Sequence, residues 1–225
     1  MPRPVRIFHI TAIDNLNAIF RHGKLLSKAE SKRCGVEYHN IAHSDAQRSR
    51  SIKTVPITPG GNIHDYVPFY FAPRSPMLMA IDRGNVQDCN YSQNDIVHFE
   101  LYVRKIYENG SSYVFYDRNA TKPYSVPYND LNQLEQVVAW DLLTESPLLD
   151  GFCKFFFDRH DPPKYMDRME KRQAEFMIKE SVSVELINRI GVFNDSKAEI
   201  VRQLLNSNGI NLRVEVVKDW YFNGQ

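Results

Sequence analysis

Apolar runs and helical spacings follow one another irregularly along this chain, and together they predict an α+β fold. Several short runs, rich in β-branched and aromatic residues, lack the helical period and therefore indicate buried strands. These runs lie at residues 4–10, 67–72, 96–103, 112–116, 174–178, 181–186 and 210–217. Because helices do not alternate regularly with these strands, we expect no βαβ alternation but central mixed or antiparallel sheets flanked by helices.

Helix start and stop signals mark the expected helices. Ser75 followed by Pro76 is an N-cap with proline at the first helical position, and it opens a helix through Arg83. Further helices are expected between Asp14 and Gly23, around 127–139, and between Ser196 and Gly209.

Two long stretches carry little periodicity. Residues 28–64 are mostly polar, end in the turn-forming sequence PITPGGN, and leave room for one helical turn at 41–50. Residues 141–170 mix prolines with aromatic residues and indicate a large ordered loop. Loops of this length inside a compact domain usually have a function.

Composition limits the class of protein. The 225 residues are 43% apolar and 24% charged, which is enough for a sizeable core in a single domain over 1–225. A net charge of +1 argues against a protein that binds polyanions over its whole surface. Residues 21–53, however, contain eight Lys and Arg against three Asp and Glu, and residues 154–172 contain six against four. These stretches suit a short nucleic-acid footprint, and ordinary solvated faces are the alternative.

Cysteine content and hydropathy exclude other classes. The three cysteines, Cys34, Cys89 and Cys153, are far apart, so neither a zinc site nor a disulfide framework is indicated, and we expect no metal. The N-terminal residues lack the apolar region of a signal peptide, and no apolar run is long enough to span a membrane. We therefore expect a cytoplasmic protein without a membrane partner.

Glu175 is the first candidate for chemistry, because it stands at the head of an apolar strand. A buried carboxylate must be paired or do work, since burial of an unpaired charge is costly. A salt bridge to Arg172 or an exposed strand edge is the alternative.

Directional polar groups elsewhere could hold a ligand. His9 and Thr11 end the first predicted strand, and Arg74 precedes a helix N-terminus, where phosphate finds both a guanidinium and free amides. The segment around Lys154 and Arg159 interleaves cations with aromatic rings, as in a stacking platform for single-stranded nucleic acid. There is no GxGxxG or Walker sequence, so a nucleotide would be held without a Rossmann domain.

Three blocks of this sequence resemble the DarT family, toxins that ADP-ribosylate DNA and are similar in fold to ADP-ribosyltransferases. The blocks are FHITAIDNLNAIFRHGKLLS at 8–27, YVPFYFAPRSPMLMAI at 66–81 and KRQAEF at 171–176. They span the chain almost from end to end, so the resemblance concerns the whole protein. It implies an ADP-ribosyltransferase-like fold with NAD as co-substrate.

The resemblance also implies roles for individual residues. Glu175 would stabilise the positive charge that develops as nicotinamide leaves, with Arg50 as the second catalytic residue and Arg48 close enough to be confused with it. The implied NAD contacts are His9, Thr11, Asn15, Leu16, Gly23, Phe71 and Arg74. The implied substrate contacts are Met77, Arg48, Lys154 and Arg159. Residues 28–64 would cover NAD, and residues 141–172 would recognise the substrate.

The function expected from the resemblance is that of a toxin. It would transfer ADP-ribose from NAD to a base in single-stranded DNA, thymidine first, and a DarG-like macrodomain antitoxin would be its partner. Guanine in DNA or an RNA base is the second hypothesis. The third is a catalytically inert nucleic-acid-binding module.

Overall fold

A computed structural model describes residues 1–42, 44–144 and 167–222. The strands of this part of the chain are β1 (Arg6–Ala12), β2 (Lys24–Leu26), β3 (Tyr66–Tyr70), β4 (Ile96–Tyr102), β5 (Tyr113–Tyr116), β6 (Pro127–Tyr128), β7 (Glu175–Lys179), β8 (Ser181–Ser183), β9 (Arg189–Val192) and β10 (Arg213–Val216). The helices are α1 (Leu16–His22), α2 (Lys28–Arg33), α3 (Ser44–Ile52), α4 (Pro76–Asp82), α5 (Val103–Glu108), α6 (Leu134–Val137), α7 (Trp140–Thr144), α8 (Arg168–Lys171) and α9 (Asp195–Ser207). This is the α+β architecture that the apolar pattern predicts.

The main sheet consists of two halves that meet weakly. Its order is β10-β9-β4-β1-β3-β7-β5-β6, and β2 pairs separately with β8. β1 and β4 pair along seven residues, and β3 and β7 along five. Within the described residues, β1 and β3 share one register pair, Phe8 opposite Tyr70. The halves β10-β9-β4-β1 and β3-β7-β5-β6 therefore diverge on either side of that pair.

Alternation along β1 divides the core between the two faces of the sheet. Ile7 packs in a cluster with α1 and α9, whereas Phe8 and Ile10 pack in another cluster with α4 and with Trp220. Successive side chains of a strand point to opposite faces, so a single strand can serve both clusters. Truncating such buried apolar residues to alanine lowers the free energy of unfolding by about 2–5 kcal/mol. Packing of this kind supports both halves of the sheet on either side of the junction.

Several predicted elements need correction. The 28–64 stretch holds α2 and α3 rather than one helical turn, and Ser27 caps α2 by accepting a hydrogen bond from the N–H of Glu30. The helix expected around 127–139 is broken into β6, a short 3-10 turn and the one-turn helix α6, because Val138 is already extended. The last helix begins after Asn194, not Ser196.

The C-terminal part contains a βαβ unit that the sequence pattern missed. β9 and β10 are parallel, and α9 connects them. Gly191 interrupts the apolar run of β9, since a Cβ at this position would lie 2.4 Å from the ring of Trp220. The glycine is needed for this close approach, and its effect on the pattern concealed the strand.

The described helices also bear on the question of a membrane. Among the residues that the structure describes, no helix is both long and apolar enough to cross a bilayer.

Candidate active site

The junction between the two half-sheets opens into a cleft of about 360 Å³, lined by residues of β1, β3, α3, α4 and the 38–42 segment. Pro68 lies in the middle of β3 and has no N–H to donate towards β1. Its carbonyl accepts a hydrogen bond from the His9 imidazole at 2.8 Å. A side chain of β1 therefore provides the donor that a backbone N–H provides in a regular antiparallel sheet. The cleft therefore results from an interruption in strand pairing.

Glu175 is fully buried and is joined by hydrogen bonds to Arg50, which lines this cleft. Sheet register places it between Tyr70 of β3 and Tyr116 of β5, with all three side chains on one side of the sheet. The guanidinium Nη1 of Arg50 donates to its two carboxylate oxygens at 2.9 and 3.2 Å, and the N–H of Ala120 donates to Oε1 at 3.1 Å. These charge-assisted hydrogen bonds hold an ionised carboxylate at a fixed position.

The electrostatics of the site favour the ion pair. Burial disfavours the Arg50 cation, but Glu175, together with the neighbouring Tyr70 and Tyr116, outweighs this effect and raises the pKa of Arg50. Burial, followed by the Glu175 charge, raises the pKa of Tyr70. Burial also raises the pKa of Tyr116, to about 12. Both tyrosines are therefore neutral at physiological pH and add no charge to the site. The charged side chain that faces Glu175 is that of Arg50.

Arg50 reaches the site from α3, a helix with no buried residue. Positions 48 and 50 point in nearly opposite directions on a helix, and Arg48 is exposed. The geometry thus brings Arg50 to Glu175 and leaves Arg48 outside. Arg172, the other partner that the sequence allowed for Glu175, instead donates to the carbonyl of Leu142.

His9, Thr11 and Asn15 line the cleft together. Burial lowers the pKa of His9 to about 4, so the ring is neutral. Because Nδ1 donates to Pro68, we assign the hydrogen to Nδ1 and an acceptor lone pair to Nε2.

Asn15 uses its amide within the protein. The Nδ2 group donates to the Thr11 hydroxyl and to the carbonyl of His39, both at 3.0 Å, and the N–H of His39 donates to Oδ1 at 2.7 Å. Asn15 was expected to contact NAD, but its observed contacts pin the 38–42 segment over the cleft.

Four other expected NAD contacts lie outside the cleft. Leu16 is fully buried in the core, and Gly23 ends α1 in the left-handed conformation with its carbonyl bonded to the N–H of Val184. Phe71 packs edge-on against Trp140 and Phe176, because the alternation of β3 sends Tyr70, not Phe71, to the cleft. Arg74 lines a separate cavity of about 290 Å³.

The expected substrate contacts divide in the same way. Met77 lines the cleft, and Arg48 does not. Lys154 and Arg159, with most of the predicted 141–172 recognition loop, lie outside the described residues.

Two cleft residues close to Glu175 were missed. Gln173 and Asn119 line the cleft, with the Asn119 amide 3.5 Å from Gln173 Oε1. Gln173 lies in the turn between α8 and β7, and the signal that could have marked it is its position two residues before the candidate Glu175. Asn119 sits in a loop with no apolar pattern, so nothing in the local sequence marks it.

The cleft fits a dinucleotide such as NAD. Its volume and largely apolar lining are those of small-molecule sites, and its polar groups converge from both half-sheets. Among the described residues, no group of three or more His, Cys, Asp or Glu side chains could hold a metal ion.

A fixed carboxylate paired with an arginine that lines an apolar cleft defines a site that can stabilise a developing cation, as a transferase of the ADP-ribosyltransferase class requires. Residues 8–222 match the family model described as ssDNA thymidine ADP-ribosyltransferase, DarT. A DNA ADP-ribosyl transferase of Thermus sp. (strain 2.9) is 35% identical over 223 residues, which cover 98% of each chain. This chain therefore belongs to the DarT family.

Solved structures agree with this assignment. Thermus sp. 2.9 DarT in complex with ADP-ribosylated ssDNA matches with a TM-score of 0.84 and 34% identity, covering 98% of both chains. The same protein in complex with NAD+ matches with a TM-score of 0.81 and 34% identity, covering 98% of this chain and 99% of that one.

Proposed function

We propose that this protein transfers ADP-ribose from NAD+ to the thymidine base of single-stranded DNA and acts as the toxin of a toxin–antitoxin pair. Membership of the DarT family supports the reaction class. The observation that carries the proposal is the buried ion pair between Glu175 and Arg50, the arginine of which lines the cleft.

In this reaction the glycosidic bond of NAD+ breaks, and nicotinamide departs as a neutral base with the bonding electron pair. Positive charge develops on the ribose, thymine gives up the proton of the attacking atom to the Glu175 carboxylate as general base, and that atom forms the new bond to the same carbon. Glu175 is oriented before substrate arrives, so its negative charge stabilises that cation without reorganisation. This is the logic of an oxyanion hole with the sign reversed.

The other residues have supporting roles in the proposal. His9 offers a fixed acceptor nitrogen to NAD+, and Asn15 keeps the 38–42 segment over it. Arg50 orients Glu175, and its guanidinium could also stabilise the deprotonated acceptor base. Lys154 and Arg159 remain proposed contacts of the DNA strand, with residues 141–172 as the recognition segment.

The direct test is mass spectrometry of a mixed-sequence single-stranded DNA oligonucleotide after incubation with NAD+ and the protein. We expect the mass of one ADP-ribose on thymidine, absent with Glu175→Gln and present with Glu108→Gln, a control at an exposed glutamate. Adducts on guanine or on matched RNA would instead favour the second hypothesis. The absence of any adduct and of any NAD-induced rise in melting temperature would favour an inert binding module.

The biological setting is also part of the proposal. A DarG-like macrodomain antitoxin would remove the modification, and the proteins would meet in the cytoplasm, where NAD and DNA are available. Incubating modified oligonucleotide with such a macrodomain tests this partner, and persistence of the adduct would contradict it.

A further inference from the structure

The loop between β5 and β6, residues 117–126, provides a second hydrogen-bond donor to Glu175 besides Arg50. Its backbone N–H at Ala120 donates to Glu175 Oε1 at 3.1 Å, the same oxygen that Arg50 contacts at 3.2 Å. A hydrogen bond to an ionised carboxylate is stronger than a neutral one. The position of this loop therefore helps to set the position of the carboxylate.

The 117–126 loop keeps its shape through its own hydrogen bonds. Asn119 Oδ1 accepts from the N–H and hydroxyl of Thr121 at 3.0 and 2.6 Å, and the N–H of Val126 donates to Asp117 Oδ1 at 3.1 Å. The Ser125 hydroxyl lies 3.1 Å from the carbonyl of Ala120 and 2.8 Å from that of Lys122. These bonds join residues of the loop to one another, and the Asn119 amide also reaches Gln173 Oε1 at 3.5 Å.

The loop is joined to α8 by Lys122, whose Nζ lies 3.4 Å from Glu170, and more extensively by Arg118. Its guanidinium lies 2.8 Å from Asp117, 3.7 Å from Glu170 and 3.9 Å from Asp167. It also sits 5.3 Å from the centroid of the Tyr124 ring, whose hydroxyl donates to Glu170. The side chain is 17% exposed, so water screens these contacts only partly.

The contacts form a closed circuit around the carboxylate. α8 ends at Lys171 and runs through Gln173 directly into Glu175, the first residue of β7. Arg118 joins α8 to the 117–126 loop, and Ala120 of that loop returns to Glu175. A displacement of α8 relative to the loop would therefore change the hydrogen bond at Oε1.

We infer that Arg118 is a positioning residue for Glu175: by fixing the 117–126 loop against α8, it keeps the N–H of Ala120 aimed at the carboxylate. This inference rests on the proposed function. Arg118 is not among the residues that line the cleft, so we expect it to act on the reaction only through Ala120. The effect should therefore fall on the chemical step and not on NAD binding.

The test compares Arg118→Met, Arg118→Lys and a matched control, Arg104→Met, which breaks an exposed ion pair with Glu108 on α5. We expect Arg118→Met to lower kcat for ADP-ribosyl transfer roughly tenfold to a hundredfold, the effect of losing a charge-assisted hydrogen bond. KM for NAD+ should stay within about twofold of wild type, because uniform binding is untouched. Lysine should restore part of kcat, and Arg104→Met should behave like wild type.

A second readout follows the loop itself. Hydrogen exchange at the amide of Ala120 should be faster in Arg118→Met than in wild type and unchanged in Arg104→Met. If Arg118→Met destabilises the whole protein, Glu170→Gln removes the opposite end of the same link and should lower kcat in the same direction. Equal kcat for Arg118→Met and Arg104→Met would overturn the inference, as would a loss confined to KM for NAD+.

Failure of the proposed function can be told apart from failure of this inference. If wild-type protein modifies no DNA, the proposed function fails, and release of nicotinamide from NAD+ without DNA becomes the measured reaction. A lower release rate in Arg118→Met would still support the positioning role, and an unchanged rate would refute it.

Discussion

Replacing Glu175 with Gln removes the charge opposite Arg50 and keeps the shape of the side chain. Glu175 is fully buried and the Arg50 side chain is 13% exposed, so the guanidinium would lose its counter-charge in a poorly solvated place. Losing one partner of a buried pair costs about 3–5 kcal/mol when the other cannot leave. Because α3 has no buried residue, it can carry Arg50 into water, and we expect a smaller loss of about 2–3 kcal/mol.

A double-mutant cycle separates the pair from its surroundings. Urea unfolding of Glu175→Gln, Arg50→Met and the double variant gives the coupling free energy, which we expect to be about 2 kcal/mol. The exposed pair Arg104 and Glu108 is the matched control, and its cycle should be additive within error.

The transfer reaction gives an independent reading of the same cycle. Each single variant should lose most of kcat, and the double variant should be no worse than the poorer single one, because residues that act as a unit are not additive. Additive losses in stability, as in the control pair, would refute the claim that Arg50 and Glu175 form a coupled pair in the folded protein.

Three further outcomes are expected. His98 is fully buried and burial lowers its pKa to about 4, so its contribution to stability is complete above pH 6.5 and is lost as the pH falls from 6.5 towards 4. Because of His98, the free energy of unfolding should fall by about 2 kcal/mol between pH 7 and pH 5. The variant His98→Gln should reduce the dependence of this free energy on pH, whereas the exposed-site variant His22→Gln should not. Asn15→Ala should raise KM for NAD+ about tenfold by releasing the 38–42 segment, whereas Asn17→Ala should not. Phe71→Ala should lower the free energy of unfolding by about 3–5 kcal/mol and leave KM for NAD+ of the folded protein unchanged, which distinguishes a core position from a ligand contact.

The sequence predicted the strands near the site well, because their apolar runs are continuous. Val67 and Phe69 are buried on one face of β3, in the cluster that also contains α1 and α9 residues, as the run at 67–72 indicated. The cap at Ser75 also appears as expected, accepting a hydrogen bond from the N–H of Leu78. Local rules suffice where a residue and its partner are close in the chain.

Long-range pairing explains what the sequence could not show. Arg50 and Glu175 are separated by 125 positions in the chain. The choice between Arg48 and Arg50 therefore depended on which side of α3 faces the strand that carries Glu175. Which of Tyr70 and Phe71 faces the cleft depended on the distant elements that pack against each face of β3. The start of α2 was not predicted, although the capping sequence Ser27-Lys28-Ala29-Glu30 is a signal that can be read from the sequence alone.

Pro68 has a consequence for attempts to stabilise this protein. A residue with an N–H at this position would offer β1 the donor that is now absent, and more of the two strands could then pair. Such a ladder would add backbone hydrogen bonds at the expense of the opening that receives the substrate. The same substitution would therefore raise thermal stability and lower activity. Pro68 is a position at which selection for function has left the pairing of β1 with β3 incomplete.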